Sequence, residues 1–200
     1  MKTKRKPVAM SARDVSAIRR GVKTMFRAPV DLAGRSRPPK PPTLESRKWT
    51  QDVEGDLKRR SAEPPYGVPG DVLWVKEPWA ALAKHDHLPP LLLPRNEKIF
   101  YLADEEDMPE IGAARTPLQM PRWASRISLR VCGVRIERLQ DISDADLLAE
   151  GCEIDYAGEA SEWYRRSAYS ALWDVRYGQG AAWLSNPWVW VIEFKRIDQK

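Results

Sequence analysis

The chain has 200 residues, 42% hydrophobic and 30% charged, which suits one globular domain and excludes a disordered or fibrous protein. Its two cysteines exclude a disulfide scaffold and point to a reducing cytosol, and no apolar run approaches the ~18 residues of a membrane span. The net charge of +5 conceals an asymmetry, because residues 1–60 hold 17 Lys and Arg against 6 Asp and Glu, whereas residues 61–200 hold 16 against 22.

The N-terminus is basic (Lys2, Lys4, Arg5, Lys6) but no apolar run follows, unlike a secretory signal. Ser11 reads as the N-cap of a first helix, with Ala12, Val15, Ile18 and Arg19 at helical spacing and Gly21 at the stop. Lys23 and Thr24 lie just past that stop, where backbone leaves a rigid element and functional side chains often sit. A solvated basic turn is the plainer alternative. Residues 28–65 are rich in proline (Pro29, Pro38, Pro39, Pro41, Pro42, Pro64, Pro65) and basic residues, and read as a flexible insertion. Its run RSRPPKPP is an extended basic arm that either tracks phosphates or simply links.

After a Pro69-Gly70 turn, Val72 to Val75 reads as a strand that Pro78 ends or confines to a sheet edge. Ile99 to Leu102 reads as a short second strand, reached by a surface excursion over 84–97. Ser125 to Leu139 is the long strand. Ile127, Leu129 and Val131 share one face, but Val134 and Ile136 continue on the opposite parity, which implies a β-bulge at Cys132 and Gly133. Cys132 is then expected to be a small buried residue.

A short helix follows, capped by Ser143, favoured by Asp144 and Asp146 and stopped by Gly151. Glu150, an acid in its last turn, opposes the helix dipole. A second helix is expected from about Ser161 to Asp174, with Trp163, Tyr164, Ala168, Ala171 and Leu172 on its packed face. Asn186 to Ile197 is apolar on both faces, as a central strand is, and Trp74, Trp188 and Trp190 are expected in the core. The class is α+β: a curled sheet or small barrel with flanking helices.

The ordered motifs GxKT after the first helix, PYGxPGDxLWVKEPW, MPRWASRISLxV, ERLQDISDADLLAEG and NPWVWVIEFKRI resemble the ASCH domain of the PUA-like superfamily. The similarity is greatest to the long versions encoded by phages and prophages, and it covers the chain apart from residues 28–65 and 84–97. It implies a β-barrel with a cleft between the first helix and the sheet, RNA or a modified nucleoside as partner, no cofactor, and the cytoplasm of a bacterial host cell. Small members remove the acetyl group from acetylcytidine, and others are reported as ribonucleases. Mapped onto this sequence, the amidohydrolase lysine falls on Lys23 and its glutamate on Glu150. The nucleophilic threonine falls on Phe26, which has no group able to attack a carbonyl, and leaves Thr24 as the nearest hydroxyl.

Three functions remain open. A hydrolase would use Thr24 activated by Lys23, with Glu150 orienting the lysine. A binding protein would contact phosphates through Lys23, Arg27 and the basic arm, and stack bases on Trp79 and Trp123 beside Arg122, with Phe26 as a further platform. A protein-interaction module would present the proline-rich arm as a peptide ligand. The His85-Asp86-His87 triplet lacks nearby third and fourth ligands, so no metal site is expected.

Overall fold

A computed structural model describes residues 3–30, 64–104, 110–153 and 161–197. Among the described residues, seven strands and three α-helices carry the fold, with one-turn 3-10 segments between them. β1 (Arg5–Ala9) leads into α1 (Ala12–Arg19), which starts on a reciprocal capping box between Ser11 and Asp14. Gly21, at φ +78°, turns the chain into β2 (Met25–Pro29). β3 (Val72–Lys76) and the short β4 (Trp79–Ala80) flank Pro78, and β5 (Phe100–Tyr101) pairs with β4. β6 (Ser128–Arg138) precedes α2 (Asp144–Ala149), α3 (Ser161–Ala181) and the final β7 (Trp188–Ile197).

The main sheet is mixed, in the order β1-β3-β6-β7-β2, with β1 parallel to β3 and every other pair antiparallel. One face packs a core of Val8, Leu73, Val75, Leu129, Val131, Ile192 and Phe194, into which α1 inserts Val15 and Ile18. Each such side chain contributes about 1.5–3 kcal/mol on burial. On the opposite face, α2 and α3 cover Met25, Val189 and Val191 with Leu147, Tyr169 and Trp173. A smaller core of Trp79, Ala81, Leu93, Met120 and Ala124 lies under the 84–97 excursion.

The bulge falls between Val131 and Gly133, where the inward-facing parity of β6 changes. β7 is flanked on both sides, by β6 and β2. Ser143 caps α2, and Gly151 follows it at φ +86°.

Several expectations need correction. β1 forms from the basic N-terminal run, where no strand was expected. The proline-rich insertion begins later than residue 28, because Ala28 and Pro29 pair with Trp190 and Val189; from 31 to 63 it lies outside the described residues. Cys132 is exposed, since the extra residue of a bulge has no place in the packed ladder. Trp74 and Trp188 are only half-buried, each beside a cation (Lys76 and Arg138), whereas Trp190 is in the core. α3 runs seven residues past Asp174 and buries Tyr169 and Trp173, while Trp163, Tyr164 and Leu172 stay exposed. Among the described residues β1 and β2 do not pair, and α1 connects these two edge strands in sequence while packing Val15 and Ile18 into the first core.

Candidate functional site

Three backbone features bring the first helix stop and the end of α2 together. Beyond Gly21, the amides of Val22 and Lys23 both donate to the Ala17 carbonyl, at 3.0 and 3.2 Å, which points Lys23 back under α1. The Thr24 amide donates to the Ala149 carbonyl at 2.8 Å and ties this loop to α2. Gly151 makes the approach possible, since a Cβ there would meet the Ala17 Cβ at 3.1 Å and the Lys23 Cβ at 3.4 Å.

Lys23 and Glu150, 127 residues apart, therefore meet: Nζ donates to Oε2 at 2.7 Å and to the Glu150 carbonyl at 2.7 Å. Asp14 Oδ1 lies 3.3 Å from the same ammonium. Arg27 extends from β2 toward the same carboxylate, with Nη1 3.2 Å from Glu150 Oε1 and Nη2 2.5 Å from both Glu137 Oε1 and Asp146 Oδ2. The Tyr169 hydroxyl donates to Glu150 Oε1 at 3.2 Å. Lys23, Arg27 and Glu150 are only 5%, 3% and 7% exposed, so their pairing is needed to hold charge in the interior.

Asp14, Lys23, Arg27 and Glu150 line a cavity of about 530 Å³, together with the aromatic side chains of Phe26, Tyr169, Trp173 and Tyr177. Leu172, Val175, Arg13 and Arg176 also line it. The volume lies within the ~300–1,000 Å³ of small-molecule sites.

Burial acts to lower the Lys23 pKa, but Glu150 and Asp14 outweigh it and hold the ammonium above its ordinary 10.5. Burial would raise Asp14, yet Lys23 and Arg176 pull it below 3.8. Arg27 is likewise held above its ordinary range, as Glu150 and Glu137 overcome its desolvation. Burial, then Glu150, pushes Tyr169 well above 10, and burial pushes Tyr177 up to about 12. The Cys152 thiol, also on the wall, is raised by burial.

These states limit the chemistry. A protonated Lys23 cannot take a proton near neutral pH. Thr24 is exposed and does not line the cavity; its carbonyl accepts the Phe194 amide at 2.9 Å. Ser11 Oγ is spent in the α1 cap, and the two tyrosines and Cys152 are held in their protonated forms. Phe26 stands edge-on to Tyr66, with ring centroids 4.9 Å apart.

Of the residues singled out from sequence, Lys23, Phe26, Arg27 and Glu150 line this cavity and Thr24 does not. Trp79 is wholly buried beneath the Arg115 guanidinium, so it presents no face for stacking. Arg122 is exposed and Trp123 half-buried on a one-turn 3-10 segment (Arg122–Ala124), outside the cavity lining. His85 pairs with Glu97 at 2.9 Å, and among the described residues no group of three or more His, Cys, Asp or Glu is placed to hold a metal. Sequence reasoning missed Asp14, Glu137, Asp146, Tyr169 and Arg176. Asp14 and Asp146 are explained locally by helix termini, and Glu137 is 110 residues from Arg27, so only the fold reveals these partners.

No family model matches the chain, and no curated protein matches it. Solved structures similar to it include two at 10% sequence identity. An ASCH domain from Lactobacillus crispatus JV V101 has a TM-score of 0.44, over 98% of this chain and 81% of that one. A DUF984 protein from Enterococcus faecalis V583 has a TM-score of 0.46, over 99% and 82% respectively.

Proposed function

We propose that this chain is an ASCH-type domain whose cavity holds a nucleobase, of RNA or of a free modified nucleoside, without cleaving it. The observation that carries the reading is the Lys23–Glu150–Arg27 cluster lining an aromatic-walled cavity of about 530 Å³. A planar heterocycle needs apolar faces and a few fixed donors and acceptors at its edge, and this lining offers both. Glu150 receives donors from Lys23, Arg27 and Tyr169, so it is held still with one lone pair, on Oε2, left for an exocyclic amine. The ASCH-like order of motifs supports the same reading. So does the charge of residues 1–60, which suits a nucleic-acid strand as the carrier of the base.

Hydrolysis is the weaker reading on physical grounds. It needs an activated hydroxyl, whereas the nucleophile position holds Phe26, Thr24 lies outside the cavity, and Lys23 keeps its proton.

The test is titration with cytidine and acetylcytidine, followed by tryptophan fluorescence (Trp173 lies in the wall) and by chromatography of the nucleoside. Saturable quenching with no cytidine released is expected, and Glu150→Gln weakens binding about 10- to 100-fold, as loss of a charged hydrogen bond does. Acetylcytidine turnover that Lys23→Ala abolishes restores the hydrolase reading. No binding of either nucleoside or of RNA overturns the proposal.

A further inference from the structure

The half of the sheet that α2 and α3 do not cover carries a row of cations that make no ion pair among the described residues. Arg5 on β1 pairs with Val72 on β3, Val72 with Arg130 on β6, and Arg130 with Lys195 on β7. Registered residues share a face, so three cations flank a single aliphatic side chain along one line across four strands. At ~4.8 Å per strand, the row spans about 14 Å. Arg5, Arg130 and Lys195 are exposed and make no ion pair among the described residues. Asp71, next to Val72, accepts the Lys4 and Val68 amides, and Glu193, two residues before Lys195, pairs with Arg135.

Arg130 and Lys195 are directly opposed across an antiparallel ladder. Like charges in that position destabilise a sheet, and no carboxylate among the described residues pairs with either. An external polyanion relieves that repulsion. One row further along the same face stand Pro7, Trp74, Ser128 and Ile197 in register. Trp74 is half-exposed, with the Lys76 ammonium 5.7 Å from its ring centre. Cations along a sheet face with a neighbouring exposed aromatic form the pattern that binds single strands, phosphates on the charges and a base on the ring.

The geometry points to a second, sequence-tolerant site for single-stranded nucleic acid on this open sheet face, built from Arg5, Arg130, Lys195 and Trp74. It holds a few consecutive phosphates of an extended strand and does not depend on what the cavity binds. The test uses the full-length protein, a ten-nucleotide oligouridylate, and Cys132 as a local reporter. Cys132 is exposed at the bulge beside Arg130, whereas Cys152 is buried.

Saturating oligouridylate is expected to protect Cys132 from alkylation. The double variant Arg130→Gln/Lys195→Gln is expected to bind about tenfold more weakly at low salt. Its dependence of log affinity on log salt is expected to be shallower by about 1.4, two phosphate contacts at ~0.7 each. That variant relieves a like-charge pair, so an unchanged or raised melting temperature verifies its fold. An unaltered affinity and salt slope in the double variant overturns the site, as does Cys132 alkylating at the same rate with and without oligouridylate. Binding to phosphatidylserine vesicles or polyglutamate with none to oligouridylate also overturns it.

Discussion

Replacing Glu150 by glutamine, alone and with Lys23→Met, probes the buried ion pair directly. The amide keeps the size and one acceptor oxygen but removes the charge between two cations that are 5% and 3% exposed. Breaking a buried pair by altering one partner costs about 3–5 kcal/mol. Here the lower end applies, because Lys23 retains Asp14 at 3.3 Å and Arg27 retains Glu137 and Asp146 at 2.5 Å. For a chain of this size, ~3 kcal/mol lowers the melting temperature by about 6–12 °C. Lys23→Met costs a similar amount, since Glu150 is left with Arg27 and Tyr169. The double variant no longer holds an unpaired member of the Lys23–Glu150 pair, so its loss falls short of the sum by about 1.5–3 kcal/mol. The assay is urea unfolding of all four proteins followed by circular dichroism. Additivity within about 0.5 kcal/mol would refute the reasoning, because the two groups would then not be exchanging energy.

Three further outcomes follow from the same geometry, and a fourth from the smaller core. The Lys23 pKa is raised above 10.5, so its share of stability is whole below that pH and is lost as pH rises through the folded value; wild type should decline above about pH 10.5 more steeply than Lys23→Met in pH-dependent urea melts. Asp14 is shifted down from 3.8, so its share is lost only as pH falls below that value, and Asp14→Asn flattens the acid limb. Gly151→Ala combines a left-handed backbone with a Cβ 3.1 Å from that of Ala17, so urea melts should show a loss of about 1–2 kcal/mol; no loss would mean that the loop is not held against α1. Trp79→Ala should cost about 3–5 kcal/mol by the same assay while leaving oligonucleotide affinity unchanged, whereas a large loss of affinity in a stable variant would return Trp79 to the surface.

The sequence made the helix ends legible because their signals are local: Ser11 and Ser143 cap, and Gly21 and Gly151 stop. The bulge was legible because a period-2 pattern that changes phase has few other causes. The Lys23–Glu150 juxtaposition came from the resemblance and from an acid placed against a helix dipole. What stayed hidden depends on distant partners. β1 was missed because it is an edge strand with one buried side chain, Val8, preceded by Arg5, Lys6 and a proline that strands disfavour. The packed face of α3 was misjudged because the helix carries two apolar stripes. Tyr169, Trp173 and Tyr177 face the outer core and the cavity, while Leu172 and Val175 sit exposed along the cavity lining. Trp79 read as a binding aromatic because nothing local shows that Leu93 and Met120 close over it.

The unpaired residue at position 132 works as a spacer that turns β6 over. Downstream of it, Arg135 and Glu137 share the face of Arg27, while Val134 and Ile136 turn inward beside Phe26 and Ala28. Deleting that one residue would invert every later side chain of the strand, sending two charged groups into the apolar interior and two aliphatics toward the charged cluster. Position 132 therefore tolerates exchange of its side chain but not its own omission, so chain length there matters more to the site than chemical identity.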